Sequence, residues 1–345
     1  MSDDPGTGSI LNAARDAQEA GDRGRAVELY TAVIATADLD AAPVAALALG
    51  LLWQEAGEEN QALEALRIAA GATHPDASPV AAWILGNILA DRGDLSGAIA
   101  AYRAAVASSH AEARPMAALR LGHLVVDEDR EEAKQMLAVA SDTDNARAAP
   151  EAAWRLGNVL REEGDLTGAE AAFQRAITFD DAMFSAEAAC DLGLILSDRG
   201  EFAGAQDAFH YAVDSGKPPA AARASFNLAA LLARSGDLDG AVRSYERAIS
   251  LGSGNVLAQA AFNLAVLLAR KPPFDRAKRA YRIVLDSGDE KLVPLAMLGM
   301  GQLLMEEADH AAARVMFRKA SQSGDAEAAA IANGLLRILD EDSHS

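Results

Sequence analysis

Apolar residues recur along this chain at steps of three and four, in blocks of helix length, and a short polar or glycine-containing break follows each block. That period turns the apolar positions toward one side of a helix, so the pattern predicts a succession of short amphipathic helices. One block is written almost twice: residues 81–106 read AAWILGNILADRGDLSGAIAAYRAAV and residues 152–177 read AAWRLGNVLREEGDLTGAEAAFQRAI. Aligned on the Leu-Gly pair, the anchors are Ala14, Gly50, Gly86, Gly122, Gly157, Gly193, Ala229, Ala265 and Gly301, with every step 36 residues except one of 35. The short step falls in the fourth copy, where "VVDEDREEA" lacks one residue of the usual turn. Nine copies at a fixed period predict stacked supersecondary units in place of one closed core.

The internal layout of the unit follows from residue types. Seven residues past the anchor most copies place Gly (Gly21, Gly57, Gly93, Gly164, Gly200, Gly236), followed by a small acidic residue, clearest as Asp22, Asp94, Asp165 and Asp237. Glycine takes the left-handed conformation that ends one helix, and aspartate accepts an amide hydrogen bond that opens the next. The eighth copy instead has Pro272 and Pro273 at its turn, which also stop a helix. The second helix then offers a small residue twelve past the anchor (Ala26, Ala62, Ala98, Ala133, Ala169, Ala205, Ala241, Ala277, Ala313; one fewer in the fourth copy). Four further on comes a large one (Tyr30, Leu66, Tyr102, Leu137, Phe173, Phe209, Tyr245, Tyr281, Phe317). Small against large lets antiparallel helices approach closely while the large side chain fills the gap between neighbouring repeats.

Leu-Gly in the first helix, Gly-Asp at the turn, then Ala and Phe or Tyr in the second resembles the tetratricopeptide repeat family from about Ser9 to Ala328. The resemblance implies an all-α fold, a right-handed α-solenoid of about nine helix-turn-helix repeats with a C-terminal capping helix. The period exceeds the family's usual value of about 34, the additions lying in linkers such as "SGKPPA" and "SGDEKL". The family's first-helix Trp occurs only as Trp83 and Trp154, one position late. The Ser-Gly linkers are also similar to those of Sel1-like repeats, whose longer internal turn is missing. The expected layout is a disordered tail over residues 1–8, the array over 9–328, a capping helix over 329–340 from "AAIANGLLRILDED", and a tail over 341–345.

At about 100° per residue, positions four before, one before, at and three after the anchor form one arc, apolar throughout, that packs against the partner helix. Positions two before and one, four and five after form another arc whose chemistry varies between copies. In tetratricopeptide proteins that second arc lines a groove that holds extended peptides. Two places on it are rich in polar groups: Asn87, Arg120, His123, Arg155, Asn158 and Arg161 in repeats three to five, and Asn227, Asn263, Arg234 and Arg270 in repeats seven and eight. Either these residues hold a peptide, Asn on its backbone and Arg on its carboxylates, or they solvate a helix face. The two-carboxylate clamp of tetratricopeptide co-chaperones is not reproduced: Asn158 matches its first Asn, but Trp154 stands where a Lys belongs and Asp191 replaces the second Asn. Trp83, Trp154 and Cys190 share a position that is apolar in every copy, and packing between first helices is the simpler reading.

Composition narrows the function. With 31 basic against 51 acidic residues, a net charge of -20 disfavours nucleic acid and anionic membrane surfaces. No basic leader with an apolar stretch and no membrane-length apolar run is written, so a cytoplasmic, non-membrane protein is expected. The lone Cys190 cannot form an intrachain disulfide or a multi-cysteine metal site. No His has a ligand-spaced partner, "DTDNAR" at 142 lacks the glycine and closing glutamate of a calcium loop, and "GMG" at 299 lacks the third glycine of a nucleotide loop. No catalytic residue, metal or cofactor is therefore expected. The function predicted is a scaffold or adaptor for a protein or peptide partner, monomeric in the favoured version. The alternatives are a self-associating structural module and a regulatory accessory subunit of an enzyme.

Overall fold

The computed structural model describes residues 6–181 and 183–342, and among them the chain forms 19 helices and no strand. It divides into two compact units, residues 1–181 and 182–345. Unit 1 holds α1 (Thr7–Glu19), α2 (Arg23–Ala35), α3 (Ala41–Glu55), α4 (Glu59–Ala70), α5 (Ala77–Asp91), α6 (Leu95–Val106), α7 (Ala113–Val125), α8 (Arg130–Ser141), α9 (Ala149–Glu162) and α10 (Leu166–Thr178). Unit 2 holds α11 (Phe184–Asp198), α12 (Phe202–Asp214), α13 (Pro218–Ser235), α14 (Leu238–Leu251), α15 (Gly254–Leu268), α16 (Asp275–Ser287), α17 (Leu292–Glu306), α18 (His310–Ser321) and α19 (Ala326–Asp342). Each odd-numbered helix up to α17 pairs with the even-numbered one after it, and within a unit each hairpin packs on the next. The nine repeats are thus nine hairpins, five in unit 1 and four in unit 2, an all-α solenoid-type stack within each unit.

The turn chemistry explains the boundaries. Gly21, Gly57, Gly93, Gly164, Gly200 and Gly236 have φ between 75° and 91°, and nothing stands where a Cβ would go, so conformation alone demands glycine there. Asp22, Asp94, Asp129, Asp165, Asp237 and Asp309 then cap the second helices, each carboxylate accepting from the backbone N–H three residues on at 2.8–3.0 Å. In the linkers the same work is shared by different side chains. Asp38, Asn145 and Asp289 accept backbone amides at the start of the next first helix, and so do the imidazole Nδ1 atoms of His74 and His110.

Where the anchor is glycine, the large residue of the second helix lies against that anchor in its own hairpin. A Cβ on Gly157 would come within 2.5 Å of Phe173 Cε1, and one on Gly193 equally close to Phe209. Glycine is needed because the ring occupies that space. All nine small alanines are fully buried, and the large residues opposite are 0–4% exposed. The "GMG" at 299 is a packing device of the same kind: Gly301 receives Phe317 of its own hairpin and Gly299 the phenol of Tyr281 from the repeat before.

At the chain ends, α1 starts at Thr7, inside the expected tail, and residues 1–5 lie outside the described residues. The last helix starts at Ala326, ahead of the expected 329, because Asp325 accepts from the Ala328 amide at 2.8 Å and caps it there. It continues through Asp342, where Arg314 holds the last turn by bonds to Leu339 O and Asp340 Oδ1; residues 343–345 lie outside the described residues. One period past Gly301 stands Arg337, exposed, with Asn333 and Asp340 also exposed on the side where a second helix would pack. The side that would need a partner is polar, which is how a terminal element closes an array.

Candidate functional site

The two candidate clusters fall in different units. In unit 2, α13 and α15 are neighbouring first helices, and their variable arcs carry Asn227 and Arg234, and Asn263 and Arg270. A cavity of about 280 Å³ is lined by Arg234, Arg270, Asn263, Val266 and Ala233 and floored by Tyr245. Arg234 and Arg270 are both exposed, and neither forms an ion pair among the described residues. The Arg234 guanidinium sits 5.6 Å from the centroid of the Phe202 ring, a contact that steadies it without neutralising it. Asn263 lines the cavity together with the Tyr245 phenol, whose pKa is raised by burial, with Asn263 opposing. Asn227 does not line this cavity: its Nδ2 donates to Cys190 Sγ at 3.7 Å. The structure therefore brings three of the four predicted residues together and commits the fourth to a neighbouring first helix.

In unit 1 a larger cavity, about 620 Å³, is lined by Asn87, Arg120, His123, Arg147, Trp83 and Asp91, among others. Tyr102 donates to Asn87 Oδ1 at 2.8 Å, which turns the amide nitrogen of Asn87 away from the ring. Burial raises the Tyr102 pKa to about 12, so that proton stays in place. Arg120 is exposed and forms no ion pair among the described residues. His123 faces Arg155, Nη1 to Nδ1 at 3.1 Å, and its pKa is lowered by burial first and by the charges of Arg155 and Arg120 after it, with Glu151 opposing. Arg155, Asn158 and Arg161 do not line the cavity. Arg155 is drawn to Glu151 at 2.7 Å, Asn158 donates to Trp154 O, and Arg161 donates to Asn158 Oδ1 at 2.8 Å. Trp83 packs against the apolar cores on both sides of it, and its Nε1 is a buried donor without a hydrogen-bond partner.

The comparisons with known proteins agree with this architecture. A family profile described as tetratricopeptide repeat matches residues 123–184 and 190–256, and one described as tetratricopeptide repeat-like domain matches residues 6–126. The chain belongs to the tetratricopeptide repeat family. Among solved structures, this tetratricopeptide array is similar to a Sel1 repeat protein from Oxalobacter formigenes, with 18% identity, 85% of this chain and 86% of that one covered, and a TM-score of 0.57. It is also similar to a tetratricopeptide repeat protein from Parabacteroides merdae, with 17% identity, coverage of 75% and 97%, and a TM-score of 0.45. A third is c5321, a protective antigen of uropathogenic Escherichia coli strains with an SLR fold, with 16% identity, coverage of 94% and 78%, and a TM-score of 0.43. No curated protein matches the chain.

A further charged group in the tetratricopeptide array escapes sequence inspection. Arg223, on α13, donates from Nη1 to Glu187 at 2.5 Å and from Nη2 to Asp191 at 2.9 Å, both on α11. The Asp191 side chain is only 4% exposed, beside the buried Cys190, whose thiol burial pushes up to about 12. Burial also raises the Glu187 pKa, while Arg223 pulls it back. The thiol is thereby kept protonated, consistent with a packing role. The signal available in the sequence was opposite charge at one repeat position, Glu187 and Arg223 both lying six before their anchors. Among the described residues no group of three or more His, Cys, Asp or Glu side chains could hold a metal ion, and no helix is long and apolar enough to cross a membrane.

Proposed function

We propose that this chain is a non-enzymatic, cytoplasmic scaffold that binds an extended segment of a partner protein along its first helices. Repeat folds of this kind typically mediate protein–protein interaction and are generally non-catalytic. The observation that carries the finer reading is the pair Arg234 and Arg270: matched positions on neighbouring helices, exposed, without an ion pair among the described residues, and lining a cavity that Asn263 also lines. In a chain of net charge -20, two guanidinium groups held apart from the surrounding carboxylates are set to meet a carboxylate from outside. The unit 1 cavity, with Arg120 and Asn87, is a second contact of the same chemistry.

Panning a random-peptide phage library against the full chain tests the proposal. Enriched peptides are expected to lose binding to R234A/R270A or to R120A while the melting curve stays unchanged. Failure to enrich any peptide, or binding indifferent to all three arginines, defeats it. A self-association reading has its own support in α19, where Ile331 and Ile338, two turns apart, are 44% and 47% exposed. Sedimentation velocity over a concentration series, with I331D/I338D as the comparison, decides that reading.

A further inference from the structure

We infer that unit 2 carries a second docking surface, on its second helices: the cleft between α14 and α16 takes an apolar side chain of a partner protein whose flanking residues are acidic. It shares no residue with the two clusters described above, so it stands or falls separately from the first-helix reading. The cleft is a cavity of about 240 Å³ with apolar walls from Ile249 of α14, Leu264 and Leu268 of α15 and Ile283 of α16. Ile249, Leu268 and Ile283 are only half-buried, which leaves the walls open to a ligand. Small-molecule sites occupy about 300–1,000 Å³; this smaller cleft suits a single large side chain.

The charge around it is unusual for this chain. Arg276 and Glu246 bridge the two helices at 2.6 Å and cancel. Arg279 also lines the cleft, and at about 100° per residue Arg279 and Arg282 lie on the side of α16 opposite the buried Ala277, Tyr281 and Val284. Arg243 holds the position of Arg279 one repeat earlier, and Arg247 stands one turn further along α14. Arg243, Arg247, Arg279 and Arg282 are all exposed, and none forms an ion pair among the described residues.

The corresponding cleft of unit 1 has the opposite charge. Between α6 and α8 a cavity of about 330 Å³ includes Val125, at the repeat position of Leu268, and Arg103, Glu128, Asp129 and Glu132. There Arg103 and Glu132 bridge at 2.7 Å, in the places of Glu246 and Arg276 with the signs exchanged, and the charges left over are Glu128 and Asp129. The cleft thus comes with the repeat, while its cationic rim belongs to repeats seven and eight. Net charge -20 makes an acidic partner the one such a rim selects. Asp239, Asp275 and Asp286 stand exposed on the same outward sides of α14 and α16. Duplex DNA, with a phosphate charge every 1.7 Å or so of its axis, would press phosphates onto these carboxylates as well. A protein places its carboxylates singly, and a guanidinium grips each through two hydrogen bonds.

Fluorescence polarisation on the full chain tests this with labelled Glu-Asp-Glu-Leu-Glu-Asp-Glu, a version with Ser for Leu, and one with Lys for every acid. The Leu probe is expected to bind, less tightly as salt rises. Ser for Leu should weaken it about tenfold or more. R279A and R282A should each weaken it by up to about fivefold, the ceiling for a solvent-exposed pair, with unchanged melting curves, and R279E/R282E should prefer the Lys probe. R234A/R270A should leave Leu-probe binding as it is. No binding of the Leu probe, equal binding of the Ser probe, or binding that R279A and R282A leave intact overturns the inference. So does tighter binding of a DNA duplex or of phosphatidylglycerol vesicles, lost in R279A and R282A, which would make the cleft a phosphate site. Loss in R234A/R270A alone also overturns it and returns the peptide to the first helices.

Discussion

Adding a single methyl group at Gly157 discriminates between two accounts of the anchor glycine. If nothing occupied the space beside this helical residue, alanine should help, because alanine exceeds glycine in a helix interior by about 0.5–1 kcal/mol. Gly157 is in the middle of α9 and is not among the glycines of positive φ. What an added Cβ meets is the Phe173 ring, with Cε1 at 2.5 Å, Cδ1 at 2.6 Å and Cζ at 3.0 Å. That ring is fully buried, so it cannot swing aside without opening the α9–α10 contact. Overpacking of this sort costs about 1–3 kcal/mol, and an enclosed ring puts it in the upper part of that range. After subtracting the helix-propensity gain, G157A should be net destabilising by about 1–2 kcal/mol. The control is Gly334 in α19, where nothing lies within 4 Å of the built Cβ, so G334A should stabilise by up to about 1 kcal/mol. Because repeat arrays need not unfold in one step, urea melts should be paired with amide hydrogen exchange over α9 and α10. Equal or greater protection of α9 and α10 in G157A would show that the ring does not hold the anchor.

Three other outcomes follow from the same structure. H110A removes the acceptor of the Glu112 and Ala113 amides and should cost about 1 kcal/mol by urea melt, whereas H110N, which keeps an acceptor like that of Asn145, should cost little. R223M removes the guanidinium from both Glu187 and Asp191 and should cost on the order of 2–3 kcal/mol, below the range for a fully enclosed pair because Arg223 stays partly solvated; R223M/D191N should recover part of it in the same melts. The folded pKa of His123 lies below the ordinary value of 6.5, so the stability it contributes is complete above that value and drains away as pH falls through the lower folded one. The melting-temperature gap between wild type and H123N should therefore narrow on acidification, and an NMR titration of His123 with a midpoint at or above 6.5 would contradict the assignment.

Local regularity made most of the fold legible. Period, turn glycine, capping aspartate and the alternation of small and large residues are all short-range signals, and each maps onto one hairpin, so nine hairpins could be counted in the sequence. The capping helix was visible for the same reason, although its start was set by Asp325, a cap that the repeat alignment did not single out. Tertiary structure decided which polar side chains remain available. Asn227 and Asn263 occupy the same repeat position in nearly the same local sequence, yet Asn227 donates to Cys190 of the repeat before while Asn263 lines the cavity beside Tyr245, because the repeat before Asn263 carries phenylalanine, Phe226, where Cys190 stands. Arg155, Arg161 and Arg223 find partners among their neighbours, while Arg120, Arg234 and Arg270 form no ion pair among the described residues. A helix period says which way a residue faces. Whether a charge found there is already matched depends on groups of neighbouring repeats, as much as 36 residues away, whose distance only packing can set.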